Sequence, residues 1–206
     1  MDTKNCPTST EDIEFYRENG FIQYPDFFTK EEITDLGDAI DDAITCKRDR
    51  ILGAENGGRG SEDYERVFNQ MVNLWCDYPS VKPYSFHKRL AESARRLSQG
   101  SHVRIYHDHA MIKPAGEISK ETNWHQDSPY WPMEPIGSLS AWVAVDDVTI
   151  ENGCLHFIPK SHKFGKLEPI ALGKEGGLGV LPARLSVKEQ VDIIKPFNQT
   201  ILPSDA

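Results

Sequence analysis

Four kinds of feature are missing from this 206-residue chain, and each absence excludes something. No run of about 18 apolar residues occurs, so no segment reads as a membrane span. The start, Met1-Asp2-Thr3-Lys4-Asn5-Cys6, lacks the basic opening and apolar core of a signal peptide. A basic excess is missing too: the formal net charge is -9, which argues against a nucleic-acid-binding surface. Cysteine is scarce and scattered (Cys6, Cys46, Cys76, Cys154) with no CxxC pair, which favours free thiols over a disulfide framework or a zinc site. A soluble, cytoplasmic protein with no nucleic-acid or membrane partner is the expectation. No internal repeat or low-complexity block is found.

What is there suffices for a core. Hydrophobic residues make up 38% and aromatics 10% of the chain, and the length suits one domain over 1–206. Ser9-Thr10-Glu11-Asp12 carries a capping residue and first-turn acids and predicts a helix ended by Gly20. Phe21–Tyr24 reads as a short strand stopped by Pro25. Thr29 with Glu31 and Glu32 predicts a second cap, and Ile33, Leu36, Ala39, Ile40 and Ala43 recur at helical spacing. Residues 47–63 read as a loop. Tyr64–Leu97 reads as helical with breaks near Pro79 and Pro83, its apolar stripe being Phe68, Met71, Val72 and Trp75.

Near residue 102 the pattern changes to period 2, the mark of antiparallel strands. On a strand over 105–113, one face carries His107, His109 and Lys113. A strand over 138–145 places Ser140, Trp142 and Ala144 together, and a hairpin turn leads into 154–159. Residues 164–190 form a glycine-rich excursion, followed by strand fragments near 193–203. Helices first (1–100) and strands afterwards (101–206) suggest a jelly roll with N-terminal helices outside it.

Between those strands lies Trp124-His125-Gln126-Asp127-Ser128-Pro129-Tyr130-Trp131-Pro132. On a strand, His125 and Asp127 would leave the same face. An imidazole beside a carboxylate makes two thirds of the 2-His-1-carboxylate set of non-haem Fe(II) oxygenases, which leaves coordination positions open for a cosubstrate and O2. Alone, His-x-Asp also fits a polar turn. Oxygenase chemistry with 2-oxoglutarate further requires an anion-binding group, which Lys113 or a later arginine could supply. His109 and Trp142 could supply donors near the keto acid, and Tyr130 with Trp131 an aromatic substrate wall. Trp142 reads equally as a core tryptophan, and His156 and His162 as structural hydrogen-bonding histidines.

Taken together, these segments are specific. Phe68–Trp75, Ile105–Lys113, Trp124–Pro132, Ala141–Val148 and Asn152–Lys163 resemble, in order and spacing, the phytanoyl-CoA dioxygenase family of Fe(II)/2-oxoglutarate enzymes. The opening Phe15–Phe21, with Phe27-Phe28 and Glu31-Glu32, also resembles that family's N-terminus. The resemblance implies a double-stranded β-helix (jelly-roll, cupin-like) core, Fe(II) held by His125 and Asp127, and a small-molecule substrate oxidised with 2-oxoglutarate and O2. His109 and Trp142 match positions that contact 2-oxoglutarate, although the family more often has Gln at the former. Related halogenases lack the carboxylate so that chloride can bind iron; Asp127 therefore favours hydroxylation.

The family's distal histidine and its 2-oxoglutarate-binding arginine lie further on, after a Gly-Asp-x-x-Phe-His pattern. Leu202–Ala206 resembles only the approach to that segment, no histidine follows His162, and the last arginine is Arg184. The resemblance therefore implies a fragment lacking the last strands. The alternatives are a non-catalytic binding relative or a cupin-like metal protein of non-oxidative chemistry.

Overall fold

The computed structural model describes residues 7–46, 69–112, 125–132 and 138–166. Its described elements are α1 (Thr10–Asn19), α2 (Lys30–Cys46), β1 (Asn69–Val72), α3 (Leu74–Asp77), α4 (Lys82–Ser85), α5 (Lys88–Ser98) and β2 (His109–Ile112), with 3-10 turns at Ser128–Tyr130 and Ser161–Phe164. They fall into two compact units. One gathers the described residues of 7–27, 92–102, 125–132 and 138–166; the other gathers 28–46, 69–91 and 103–112. No described helix is long and apolar enough to cross a membrane.

In the second unit α2 begins where a capping box is written. Thr29 N–H donates to Glu32 Oε2 at 2.8 Å and Glu32 N–H to Thr29 Oγ1 at 3.2 Å. Leu36, Ala39 and Ala43 are buried at helical spacing, and Ala39 and Ala43 join Met71, Leu74 and Val81 in one apolar cluster. Glu32 also pairs with Arg89 at 2.6 Å. Those ties hold its carboxyl below the ordinary carboxylate range, the Thr29 amide acting most strongly and Arg89 less so.

The helix expected over Tyr64–Leu97 needs correction. Asn69–Val72 is a strand, antiparallel to β2, with Met71 opposite Ala110 and Val72 opposite His109. Backbone pairing with a segment some forty residues downstream overrides the helical spacing of Phe68, Met71, Val72 and Trp75, a non-local effect that periodicity does not register. Asn73, at φ 60°, turns the chain from β1 into α3. Asp108 fixes that corner. Its carboxylate accepts from Leu74 N–H (2.7 Å), Trp75 N–H (2.9 Å) and Ser85 Oγ–H (2.7 Å), and its carbonyl accepts from Asn73 N–H (3.0 Å). The first amides of α3, which have no helical partner, are thus supplied from the residue just before β2.

In the first unit Ser9 and Asp12 form a capping box on α1, and Gly20 at φ 88° closes the helix by donating to Tyr16 O at 2.7 Å. Phe21–Tyr24 is not the expected strand. Phe21 is buried instead, stacked on Phe157 at 5.0 Å with Phe15 edge-on at 6.0 Å, so its contacts are ring contacts rather than a ladder. Segments 138–145 and 154–159 carry no strand pairing among the described residues, and the β1–β2 pair is the sheet these residues contain. The expected loops over 47–63 and most of 164–190, and the strand fragments near 193–203, lie outside the described residues.

Candidate metal and cosubstrate site

The expected strand through His125 and Asp127 is also corrected. Asp127 has helical backbone angles (φ -70°, ψ -40°) and leads into the 3-10 turn Ser128–Tyr130. Pro129 explains the turn: its ring fixes φ in the helical range and it has no N–H for a ladder. The turn closes through Tyr130 N–H to Asp127 O at 2.9 Å and Trp131 N–H to Ser128 O at 3.2 Å.

The two side chains nevertheless meet. His125 Nε2 lies 3.3 Å from Asp127 Oδ1, with side-chain exposures of 26% and 49%. Asp127 does not use its carboxylate to cap its own turn. The second oxygen, Oδ2, accepts from Ser140 Oγ–H at 2.9 Å, which fixes the carboxylate plane and leaves Oδ1 on the histidine side. Tyr130 stands edge-on to the His125 ring, 6.2 Å away at 79°. Gln126, between them, donates its amide to Gly165 O at 2.9 Å.

This spacing suits a hard divalent ion. Metal–donor bonds of about 2.1 Å at right angles place two adjacent ligand atoms about 3.0 Å apart. An imidazole nitrogen and one carboxylate oxygen 3.3 Å apart need only a small adjustment to occupy neighbouring positions on one ion. Among the described residues there is no group of three or more His, Cys, Asp or Glu side chains able to hold a metal, so these residues supply two donors and not three.

The remaining expected site residues divide between the units. Tyr130 (exposed) and Trp131 (half-buried) follow Asp127 within the same turn. Trp142 lies two residues after Ser140 and is 37% exposed, so it is not the core tryptophan that an alternating strand would permit. His109 belongs to the other unit, where it opens β2 opposite Val72, its ring 6.0 Å from that of His107. Lys113 lies outside the described residues. His162 donates from Nε2 to Arg17 O at 3.0 Å, and His156 Nε2 lies 3.5 Å from Cys154 Sγ.

Sequence reasoning missed Ser140 and Gln126 as site residues. Ser140 reaches Asp127 across 13 positions from a segment without strand pairing, so its place on a period-2 face with Trp142 was no guide to it. For Gln126, the partner is a backbone carbonyl 39 positions away, which no local pattern announces.

Comparison with known proteins adds three findings. The sequence profile of the family described as phytanoyl-CoA dioxygenase (PhyH) matches residues 16–171. Peroxisomal phytanoyl-CoA dioxygenase of Bos taurus is 23% identical over 197 residues, covering 86% of this chain and 55% of that protein. Ectoine dioxygenase of Sphingopyxis alaskensis is 26% identical over 169 residues, covering 78% and 52%. This chain therefore spans about half the length of the curated relatives it matches. Among solved structures, the non-heme alpha ketoglutarate dependent carbocyclase SnoK from nogalamycin biosynthesis superposes with a TM-score of 0.61 at 24% identity, over 76% of this chain and 59% of that one. That likeness is one of fold.

Proposed function

This chain belongs to the phytanoyl-CoA dioxygenase family, and from that premise we propose that it serves an Fe(II)/2-oxoglutarate-dependent dioxygenase that hydroxylates a small organic molecule on a double-stranded β-helix scaffold. The observation that carries the proposal is the convergence of His125 Nε2 and Asp127 Oδ1 at 3.3 Å, with Ser140 holding the other carboxylate oxygen. Bound there, Fe(II) would couple oxidative decarboxylation of 2-oxoglutarate to O2 activation and substrate oxidation.

The chain's own residues have separate tasks in this reading. His125 presents a neutral imidazole through Nε2, and the edge of Tyr130 restricts the rotation of its ring. Asp127 would offer Oδ1 to the ion while the Ser140 hydroxyl holds Oδ2. Tyr130 and Trp131 furnish flat apolar surface against which a substrate can orient. Trp142 and His109 are assigned to 2-oxoglutarate by their type and place in the sequence, and Lys113 to its distal carboxylate. Besides these residues, a third metal ligand and a carboxylate-binding arginine are required. The cytoplasm is the proposed location; the bovine relative is named as peroxisomal.

Anaerobic titration of the protein with Fe(II) and then 2-oxoglutarate tests the reading. A visible charge-transfer band that requires both additions, and that disappears in Asp127→Ala, is the expected result. Absence of the band and of succinate formed in air, in a protein that also carries the third ligand and the arginine, would mean a binding relative rather than an oxygenase.

A further inference from the structure

The His125–Asp127 turn is held from three directions. Ser140 and Tyr130 act on the two side chains themselves. The third tie, Gln126 Nε2–H to Gly165 O, leads out of the site to the end of the 3-10 turn Ser161–Phe164. That turn is in turn fastened to the C-terminal end of α1. Lys160 N–H donates to Asn19 O at 2.9 Å, and His162 Nε2–H donates to Arg17 O at 3.0 Å. Both carbonyls lie in the last turn of α1, where backbone acceptors have no helical partner. Lys160 and Lys163 reach Glu18 at 2.7 and 2.6 Å, placing positive charge at the negative end of the helix dipole.

Gly20 makes the approach possible. A Cβ at that position would collide with His162 Nδ1 and stand 2.8 Å from its Cγ, so the imidazole occupies the space a side chain would fill. Exposed ion pairs of the Glu18 kind contribute little in salt. The two hydrogen bonds to helix carbonyls and the stacking of buried Phe21 on the exposed ring of Phe157 therefore carry most of the docking.

We propose that the C-terminal end of α1 is a positioning element for the metal-binding pair, acting through His162, the 158–165 segment and the Gln126 amide, so that the N-terminal helix and the His125–Asp127 turn share one alignment. The inference rests on the proposed role of that pair. Neither His162 nor Gln126 is a catalytic residue in this scheme. Each acts on a backbone carbonyl that sets where His125 and Asp127 stand.

Three single variants of the protein test it: His162→Leu, His162→Gln and Gln126→Leu. Two readouts are taken, amide hydrogen exchange at Tyr130 and Trp131 in the metal-free protein and the anaerobic Fe(II) dissociation constant. His162→Leu and Gln126→Leu should each speed exchange of those amides and weaken Fe(II) by about tenfold, as loss of outer ligand support does. His162→Gln should restore both values, because its amide can again donate to Arg17 O, while exchange in α2 stays unchanged throughout. Should His162→Leu fail to fold, Gln126→Leu, whose hydrogen bond is exposed, carries the same comparison. Turn amides within about twofold of wild type in both leucine variants would overturn the proposal, as would a His162→Gln protein no better than His162→Leu. If exchange responds as expected while the wild type takes up no Fe(II), the positioning stands and the oxygenase reading falls.

Discussion

Replacing Asp108 with alanine removes more than one side chain's worth of bonding. Its carboxylate is the shared acceptor for Leu74 N–H, Trp75 N–H and Ser85 Oγ–H at 2.7, 2.9 and 2.7 Å. Hydrogen bonds to a charged group contribute about 1.5–3 kcal/mol each, and a helix cap about 0.5–2 kcal/mol. The donors are only part-buried, so water recovers a share of the loss, and about 3 kcal/mol is expected for Asp108→Ala. Asp108→Asn keeps one acceptor oxygen but turns an NH2 group toward a donor, and should cost about half as much. Against a total stability of about 5–15 kcal/mol this is a large fraction. Urea titration followed by the fluorescence of the tryptophans and by far-ultraviolet circular dichroism measures it. The serine partner supplies an internal control, since Ser85→Ala removes one of the three bonds and should cost about 1 kcal/mol. A loss below about 1 kcal/mol for Asp108→Ala would mean that the corner between β1, α3 and β2 is held by packing alone.

Three further outcomes are expected. Glu32→Ala should lower stability by about 1–2 kcal/mol in the same titration, because it removes the α2 capping box together with the Arg89 partner. Glu18, drawn down to about 2 by its hydrogen bonds to Lys160 and Lys163, is ionised in the folded protein well below its ordinary value of 4.5. A carboxyl depressed on folding stabilises the fold above its unfolded value and loses that contribution as pH falls. Protection of the Lys160 amide, taken relative to its intrinsic exchange rate at each pH, should accordingly fall between pH 4.5 and about 2, and more weakly in Glu18→Gln. Ser140→Ala should leave the fold intact and weaken Fe(II) by about tenfold, measured by anaerobic competition with a chelator.

Some of this was legible from the residues and some was not, and the division is physical. The starts of α1 and α2 could be read because Ser9 with Asp12 and Thr29 with Glu32 satisfy helix amides only three positions away. β1 could not. Phe68, Met71, Val72 and Trp75 have helical spacing, and Asn69–Val72 becomes a strand through His109–Ile112, a partner far along the chain. The pair His125 and Asp127 was visible as chemistry, whereas its backbone was misread, since Pro129 bends into a 3-10 turn what a same-face argument places on a strand. The two donors meet in either conformation. Ser140 is joined to Asp127 across 13 positions, a contact set by tertiary packing rather than by any periodicity. The jelly roll is implied by the resemblance alone; the described residues contain one two-stranded sheet, β1 with β2.

The central claim is that a divalent ion sits between His125 and Asp127, and paramagnetic broadening tests it most directly. Substoichiometric Mn(II) added to isotopically labelled protein in metal-free buffer should broaden the resonances of residues 125–127 and Ser140 first, and Asp127→Ala should abolish that pattern. Broadening centred instead on His107 and His109, on Cys154 and His156, or spread evenly over exposed acidic groups would contradict the account.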